Sequence, residues 1–342
     1  MRRILAIGGF SNGESEFLAA TYIRELIGKP NPRICLLSTP AADPPMLIND
    51  FDAIYGKLGC QTSNVTFYGV AGTHCVRADN AAAHLLQQDA IFVSGGNPRC
   101  ALALWKEWGL DKVLRQAWES GVLLSGMSAG AICWFDHHVP SPANCNLPLP
   151  PGLGILPGNC DVHFHAGDGT RRKEILQTMQ ILAMPSAIAI DDDAAVLYEG
   201  DAIAAVLSWR EGATAYQLQG HPDGVTERPL HAKAIGSLRS EPERRPISLS
   251  LAAKEACVGR YQLMSPMEVM ITIEGEQLFA QYGSQPKHEI FPESVDRFFL
   301  KIIDAQVTFE KDRSGRVASL VHHQNGRDTR GVRLQDKDSN GL

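Results

Sequence analysis

The sequence predicts an α/β fold, a mostly parallel sheet covered by helices on both faces, followed by a small antiparallel β domain. Three observations carry this expectation. Over the first 125 residues short apolar runs alternate with helical patterns, as strands do when crossover helices bury both their faces. After Leu251 the texture changes to short strands separated by hairpin turns, as in a small sheet or barrel. The aromatic residues divide in the same way: all five Trp lie within the first 209 residues, whereas five of the 12 Phe lie from Phe279 onward. At 342 residues the chain exceeds the usual size of one domain. The expected division is an α/β domain over 1–220, a linker over 221–250 and a small accessory β domain over 251–342.

Each element has its own reason. Residues 3–7 are an apolar strand that enters Gly8-Gly9 at once. Residues 16–26 are a helix burying Phe17, Tyr22, Ile23 and Leu26. Strands at 33–38, 64–68 and 90–93 then alternate with helices at 47–58 and 81–86. Residues 102–120 are helical with a break at Gly109, and 121–124 form a short, continuously apolar strand. Six Pro make 137–159 loop-rich and place His137 and His138 in a loop, solvated or facing substrate. A helix at 173–182 and strands at 187–190, 194–197, 203–209 and 213–218 follow. The polar, Pro-punctuated stretch 220–246 reads as the linker. Beyond it, strands at 269–273 and 277–282 form a hairpin across Glu274-Gly275-Glu276. Further strands are expected at 289–291, 297–301, 305–310 and 317–322, with turns at 312–315 and Asn325-Gly326.

Charge and cysteine usage narrow the function class. A net charge of -6 and a pI near 6.0 argue against a nucleic-acid partner, which calls for a basic patch. No apolar run reaches membrane-spanning length, so no membrane partner is expected. The apolar part of Met1-Arg2-Arg3-Ile4-Leu5-Ala6-Ile7 is too short for a secretion signal. Eight scattered Cys without CxxC spacing read as reduced thiols, which points to the cytoplasm. A homodimer is the base-rate expectation for the assembly.

The sharpest chemical feature is Gly126-Met127-Ser128-Ala129-Gly130, a G-x-S-x-G motif at the end of a buried strand and before a helix. Such an elbow lifts Ser128 Oγ to the sheet edge and admits only small neighbours. The Ala129 N–H, at the start of that helix, is one candidate oxyanion donor. The Gly96 N–H in Ser94-Gly95-Gly96-Asn97, which ends the neighbouring strand, is the other. A Ser/Gly turn that merely packs strand on helix is the plainer alternative. Cys133, inside the predicted helix, reads as packing.

A serine hydroxyl needs an imidazole to take its proton. The sequence offers His137, His138, His163, His165, His221 and His231. The run Asp161-Val162-His163-Phe164-His165 reads as extended, with both His on one side. The acid is expected at a strand end, where Asp191-Asp192-Asp193 supplies three carboxylates that cannot all be buried and ionised. An ordinary acidic turn is their plainer reading. Asp161, His163, His165 and Asp168 also suggest a metal cluster, but without H-E-x-x-H or Cys pairs, so no metal and no cofactor is expected.

Together these pieces resemble the serine peptidases of the dipeptidase E and cyanophycinase family. The resemblance rests on Phe92-Val-Ser-Gly-Gly-Asn97, Gly126-Met-Ser-Ala-Gly-Ala131, Asp161-Val-His-Phe164 with Arg171-Arg172 downstream, and Ile190-Asp-Asp-Asp-Ala194, and it covers residues 1–218. It implies a class I glutamine amidotransferase-like sheet, with Ser128 as nucleophile, His163 as general base and Asp192 as the orienting acid. The family usually carries Glu where this chain has Asp192. Gly96 and Ala129 would form the oxyanion hole, and Asn97, Arg171 and Arg172 would contact the substrate. That substrate would be a small peptide or isopeptide with an acidic residue before the scissile bond, and the residues do not separate a dipeptidase from a cyanophycinase. The rival within serine chemistry is an α/β-hydrolase using Asp192 with His221 or His231. An esterase or amidase on the same sheet, and an inactive binding protein, are the other classes. The last 80 or so residues resemble the small β-domain appended to some β-lactamase-related hydrolases, a likeness that names no chemistry.

Overall fold

Alternate residues of the first strand, β1 (Arg3–Ile7), go to opposite cores: Ile4 and Ala6 join one apolar cluster, Leu5 and Ile7 another. That is the behaviour of a strand buried on both faces. The computed structural model describes residues 1–68, 75–139, 151–166, 169–235, 246–264, 267–283, 287–300, 305–324 and 327–334. It divides into two compact units, one of Met1–Phe10 and Ser15–Leu238, the other of Ser11–Glu14 and Arg239–Leu342.

In the first unit, α1 (Gly13–Ile27), β2 (Arg33–Leu37), α2 (Pro45–Lys57), β3 (Gln61–Thr66) and β4 (Cys75–Arg77) come first. Then follow α3 (Ala81–Leu85), β5 (Ala90–Val93), α4 (Pro98–Glu107), α5 (Leu110–Glu119) and β6 (Leu123–Met127). Helices α1 and α2 pack Ala19, Ile23, Phe51 and Tyr55 on one face of the sheet, while α3 to α5 pack Leu85, Trp105 and Leu114 on the other. The expected helix break sits at Gly109, which has φ 71° between α4 and α5. Strand β6 starts and ends later than the expected 121–124. It pairs in parallel with β1 up to Ile7↔Met127 and with β5 up to Val93↔Gly126, so the chain stays extended to the threshold of Ser128.

The one-turn helix α6 (Ala129–Ile132) leads to β7 (Phe135–His138), β8 (Leu156–Val162), α7 (Thr170–Ile181) and β9 (Ser186–Ile190). Next come β10 (Ala194–Glu199), β11 (Ala202–Ser208), β12 (Ala215–His221), β13 (Gly224–Pro229) and β14 (Ala232–Ala234). Among the described residues, two sheets result where one was expected. The larger has the order β14-β11-β10-β1-β6-β5-β2-β3-β4, parallel from β1 to β4 and antiparallel at β1–β10 and β10–β11. The smaller is β13-β12-β9-β8-β7 and packs Ala187, Ala189 and Leu218 against Ile175 and Met179 of α7. The expected loop at His137 and His138 is corrected, because both lie in β7; His137 is exposed as expected, whereas His138 is buried. The rest of that loop, 140–150, lies outside the described residues.

The expected linker 221–250 is also corrected. Strand β13 pairs antiparallel with β12, and β14 parallel with β11, so the first unit runs past residue 220. The reason is local: Pro222 and Asp223 form the hairpin turn into Gly224, and an edge hairpin tolerates the polar residues of β13 because one of its faces stays wet. Part of the expected linker, 236–245, lies outside the described residues.

The second unit holds α8 (Leu251–Glu255), capped by Ser250, and the strands β15 (Gly259–Met264), β16 (Met267–Glu274), β17 (Gln277–Tyr282) and β18 (His288–Pro292). Strands β19 (Arg297–Leu300), β20 (Ala305–Lys311), β21 (Val317–Gln324) and β22 (Arg327–Arg333) complete a closed antiparallel barrel, β22 pairing back onto β15. Its interior is filled by Tyr261, Ile271, Leu278, Phe298, Phe309 and Leu320, as the width of an eight-stranded barrel dictates. The expected turn at Asn325-Gly326 lies outside the described residues.

Candidate active site

Ser128 follows the last residue of β6 and takes φ 55°, ψ -114°, a backbone state that L-residues avoid. Its N–H donates to Ile7 O at 3.0 Å, which ties the turn to β1. The two flanking glycines are sterically required. A Cβ on Gly126 would lie 2.3 Å from Gly130 O, and one on Gly130 would lie 2.2 Å from Val93 O. The structure therefore carries a strained strand-to-helix turn at Ser128, with no room for side chains at the two glycines.

Strand β8 ends at Val162, and His163 turns away with φ 58°. The expected extended run through His165 is thus broken, and the two histidines take different partners. His163 Nε2 lies 2.8 Å from Ser128 Oγ, and its Nδ1 lies 2.5 Å from Asp192 Oδ1. A carboxylate only accepts, so Nδ1 carries the ring proton and Nε2 is left to accept from the Ser128 hydroxyl. His163 and Asp192 remain partly open to solvent. The arrangement can move a proton from Ser128 Oγ to His163 while Asp192 stabilises the resulting imidazolium.

The three aspartates divide their work. Asp191 is buried and accepts from His165 Nδ1 at 2.8 Å, from the His165 N–H at 3.2 Å and from the Thr214 N–H at 3.1 Å. Asp192 faces His163. Asp193, fully buried, accepts from Arg210 Nε at 2.8 Å, and its N–H donates to Gly9 O at 2.9 Å. Gly8-Gly9, which the sequence marks only as the end of a strand, makes this packing possible. A Cβ on Gly8 would meet Asp191 O at 2.0 Å; one on Gly9 would meet Asp192 Oδ1 at 2.0 Å and His163 Cε1 at 2.7 Å.

The remaining expected site residues fall less centrally. Gly95 passes beside Ser128, since a Cβ built on it would lie 3.4 Å from Ser128 Cβ. Gly96, with φ 133°, is packed on Pro40 O, where a Cβ would sit at 2.2 Å. Ala129 opens a helix of a single turn, so its N–H lacks an intrahelical acceptor but the helix macrodipole behind it is small. Asn97 caps α4, its side chain accepting from the Cys100 N–H at 3.2 Å, and its own N–H donates to Pro40 O at 2.7 Å. Neither arginine is uncommitted: Arg171 pairs with buried Asp161, and Arg172 makes two hydrogen bonds to Glu227. Burial pushes the Asp161 carboxyl up to about 6, against the opposing pull of Arg171.

The alternative partners are placed elsewhere. His221 Nε2 lies 3.1 Å from Thr226 Oγ1 on the exposed β12–β13 hairpin, and His231 is exposed; Asp192 meets His163 instead of either. Cys133 is buried, donates to Gly130 O at 3.2 Å, and has a thiol pushed well above its usual range by burial. Of the suggested metal cluster, Asp161 is held by Arg171 and His165 by Asp191, while Asp168 lies outside the described residues.

Comparison with known proteins adds the lineage. A model described as peptidase family S51 matches residues 4–206, and one for a domain of unknown function, DUF3471, matches 243–335. An uncharacterized peptidase, YgaJ, of Bacillus subtilis (strain 168) is 35% identical over 238 residues, which span 69% of this chain and 100% of that protein. A penicillin-binding protein of the same organism is 26% identical over 123 residues, 36% of this chain and 24% of that one. A crystal structure of a peptidase from an acI-B1 Actinobacterium covers 67% of this chain and 94% of its own, at 18% identity and a TM-score of 0.49.

Proposed function

This chain belongs to peptidase family S51 and is a serine peptidase of the dipeptidase E type; from that premise we propose that Ser128 is its nucleophile, His163 its general base and Asp192 the acid that orients His163. The single observation that carries the assignment is the continuous hydrogen-bonded chain from Ser128 Oγ through His163 to Asp192, 2.8 and 2.5 Å long. His163 takes the hydroxyl proton as Ser128 attacks the amide carbonyl. The Gly96 and Ala129 N–H groups hold the oxyanion, a role favoured by the close passage of Gly95 along Ser128. His163 then protonates the leaving amine, and water hydrolyses the acyl-enzyme.

The substrate we propose is a small peptide with an acidic residue before the scissile bond. Arg171, which pairs with buried Asp161, is the candidate counter-charge. Kinship of the larger sheet with the class I glutamine amidotransferases belongs to the same proposal, supported by an elbow that follows a central parallel strand. The barrel we read as an accessory module and the setting as cytoplasmic, where the described thiols stay free. A dipeptide panel varied at the first residue, with cyanophycin as a separate polymer, tests the substrate. Dipeptides led by Asp should turn over at least about tenfold faster than those led by Ala. Uniform turnover would remove the acidic preference, and cleavage of acyl esters without any peptide would replace peptidase by esterase.

A further inference from the structure

Beside the Ser128–His163–Asp192 chain stands a second imidazole–carboxylate pair, His165 and Asp191. Its two members flank the first pair in sequence: His165 is two residues from His163, and Asp191 precedes Asp192. The side chain of Asp191 is 4% exposed and that of His165 40%. The imidazole sits against two rings, with centroids 4.7 Å from Phe164 and 4.9 Å from Tyr216, both roughly edge-on. Through its carboxylate Asp191 joins three chain segments: the exit of β8 by way of His165, its own exit from β9, and Thr214 at the entry of β12.

We propose that His165 is a positioning residue whose Nδ1–H bond to Asp191 holds the His163 loop in register with Asp192, an inference that rests on Ser128, His163 and Asp192 being the triad. The loop needs such a hold. His163 lies beyond the end of β8 with φ 58°, a conformation disfavoured for a residue with a Cβ. Within the described residues of this loop, the Phe164 N–H donates to Ile190 O at 3.3 Å and the Ala166 N–H to His163 O at 3.1 Å. Neither fixes the direction of the His163 ring. The Asp191 clamp holds the backbone that carries this ring, because the same carboxylate anchors the loop of His163 through His165 and belongs to the turn that carries Asp192. A carboxylate that accepts three N–H bonds in a buried setting stays in one orientation, and it steadies the turn on which Asp192 follows.

The test compares His165→Asn with His165→Gln in the full chain. The Asn amide nitrogen takes the place of Nδ1 and keeps the donor to Asp191. The Gln amide reaches the place of Nε2 instead and loses it. The readout is the reaction of a phosphonate ester with Ser128, resolved into a maximal inactivation rate and a half-saturating concentration, with Ser128→Ala as the unlabelled control. Loss of positioning lowers the maximal rate in His165→Gln by about tenfold or more and moves the half-saturating concentration by no more than about threefold, while His165→Asn stays within about threefold of the parent. A purely structural role would lower melting temperature without this split between the variants. The low-field proton resonance of the His163 Nδ1–H gives a second readout that needs no turnover; it should persist in Ser128→Ala and His165→Asn and broaden in His165→Gln. Equal maximal rates for the two variants, or equal losses in both, overturn the proposal. Equal labelling of the parent and Ser128→Ala overturns the triad reading itself, and this proposal with it.

Discussion

His138 shows how little residue identity says about role. It lies among Pro-rich polar sequence, yet it is buried at the end of β7, and its Nε2 has no hydrogen-bond partner among the described residues. Burial, helped by the neighbouring His137 and the Arg171 and Arg99 guanidiniums, pushes its imidazole down from 6.5 to about 4. Unfolded, the ring binds a proton below about 6.5; folded, it does so only near 4. Between those values the unfolded chain holds more protons, so the fold loses stability as pH falls, by a total on the order of 3 kcal/mol at pH 4. Asp161 works the other way in nearly the same window, because its folded value of about 6 lies above the unfolded 3.8 and the folded chain holds the extra proton. Replacing His138 by Gln removes one side of this opposition. The melting temperature of His138→Gln should fall less steeply than that of the parent between pH 6.5 and 4; parallel slopes would show that His138 titrates normally. The three aspartates teach the same lesson. They share an identity and a turn, and only the partners they meet, His165, His163 and Arg210, separate their roles.

At the scale of elements, what was legible in the sequence is what depends on neighbours along the chain. The elbow at Ser128 is written in Gly126 and Gly130, because the crowding that excludes a Cβ is local to the turn. The strand–helix alternation up to β6 follows from runs apolar on both faces. What was not legible depends on contacts distant in sequence. The assignment of β7, β8, β9 and β12 to a separate sheet is set by pairing across long connections. The turn at His163 has no glycine to announce its positive φ. Gly8-Gly9 reads in the sequence as a simple strand end, yet it is the floor on which Asp191 and Asp192 rest. Gly9→Ala places a methyl carbon 2.0 Å from Asp192 Oδ1 as the structure stands, so Asp192 must move away from His163. We expect at least a tenfold loss of kcat with KM changed by no more than about threefold. Steady-state kinetics on any accepted dipeptide would check this, and an unchanged kcat would mean that the turn yields without disturbing Asp192.

The whole molecule is two bodies with separate cores. The clusters of the first unit are built around its two sheets, and the cluster of the second fills the barrel. All five Trp belong to the first unit, so tryptophan fluorescence reports on that unit alone while far-ultraviolet circular dichroism reports on both. Separate cores predict that the two probes give non-coincident thermal transitions. A single coincident transition would show that the units unfold as one. The division also confines the proposed chemistry, since Ser128, His163 and Asp192 all lie in the unit that carries the S51 match. The central claim is that Ser128 is the activated nucleophile, and the most direct measurement is the intact mass of the protein after treatment with a phosphonate ester. The parent chain should gain a single adduct, and Ser128→Ala should gain none while melting within about two degrees of the parent. An adduct of equal yield on Ser128→Ala, or none on the folded parent, would contradict the account.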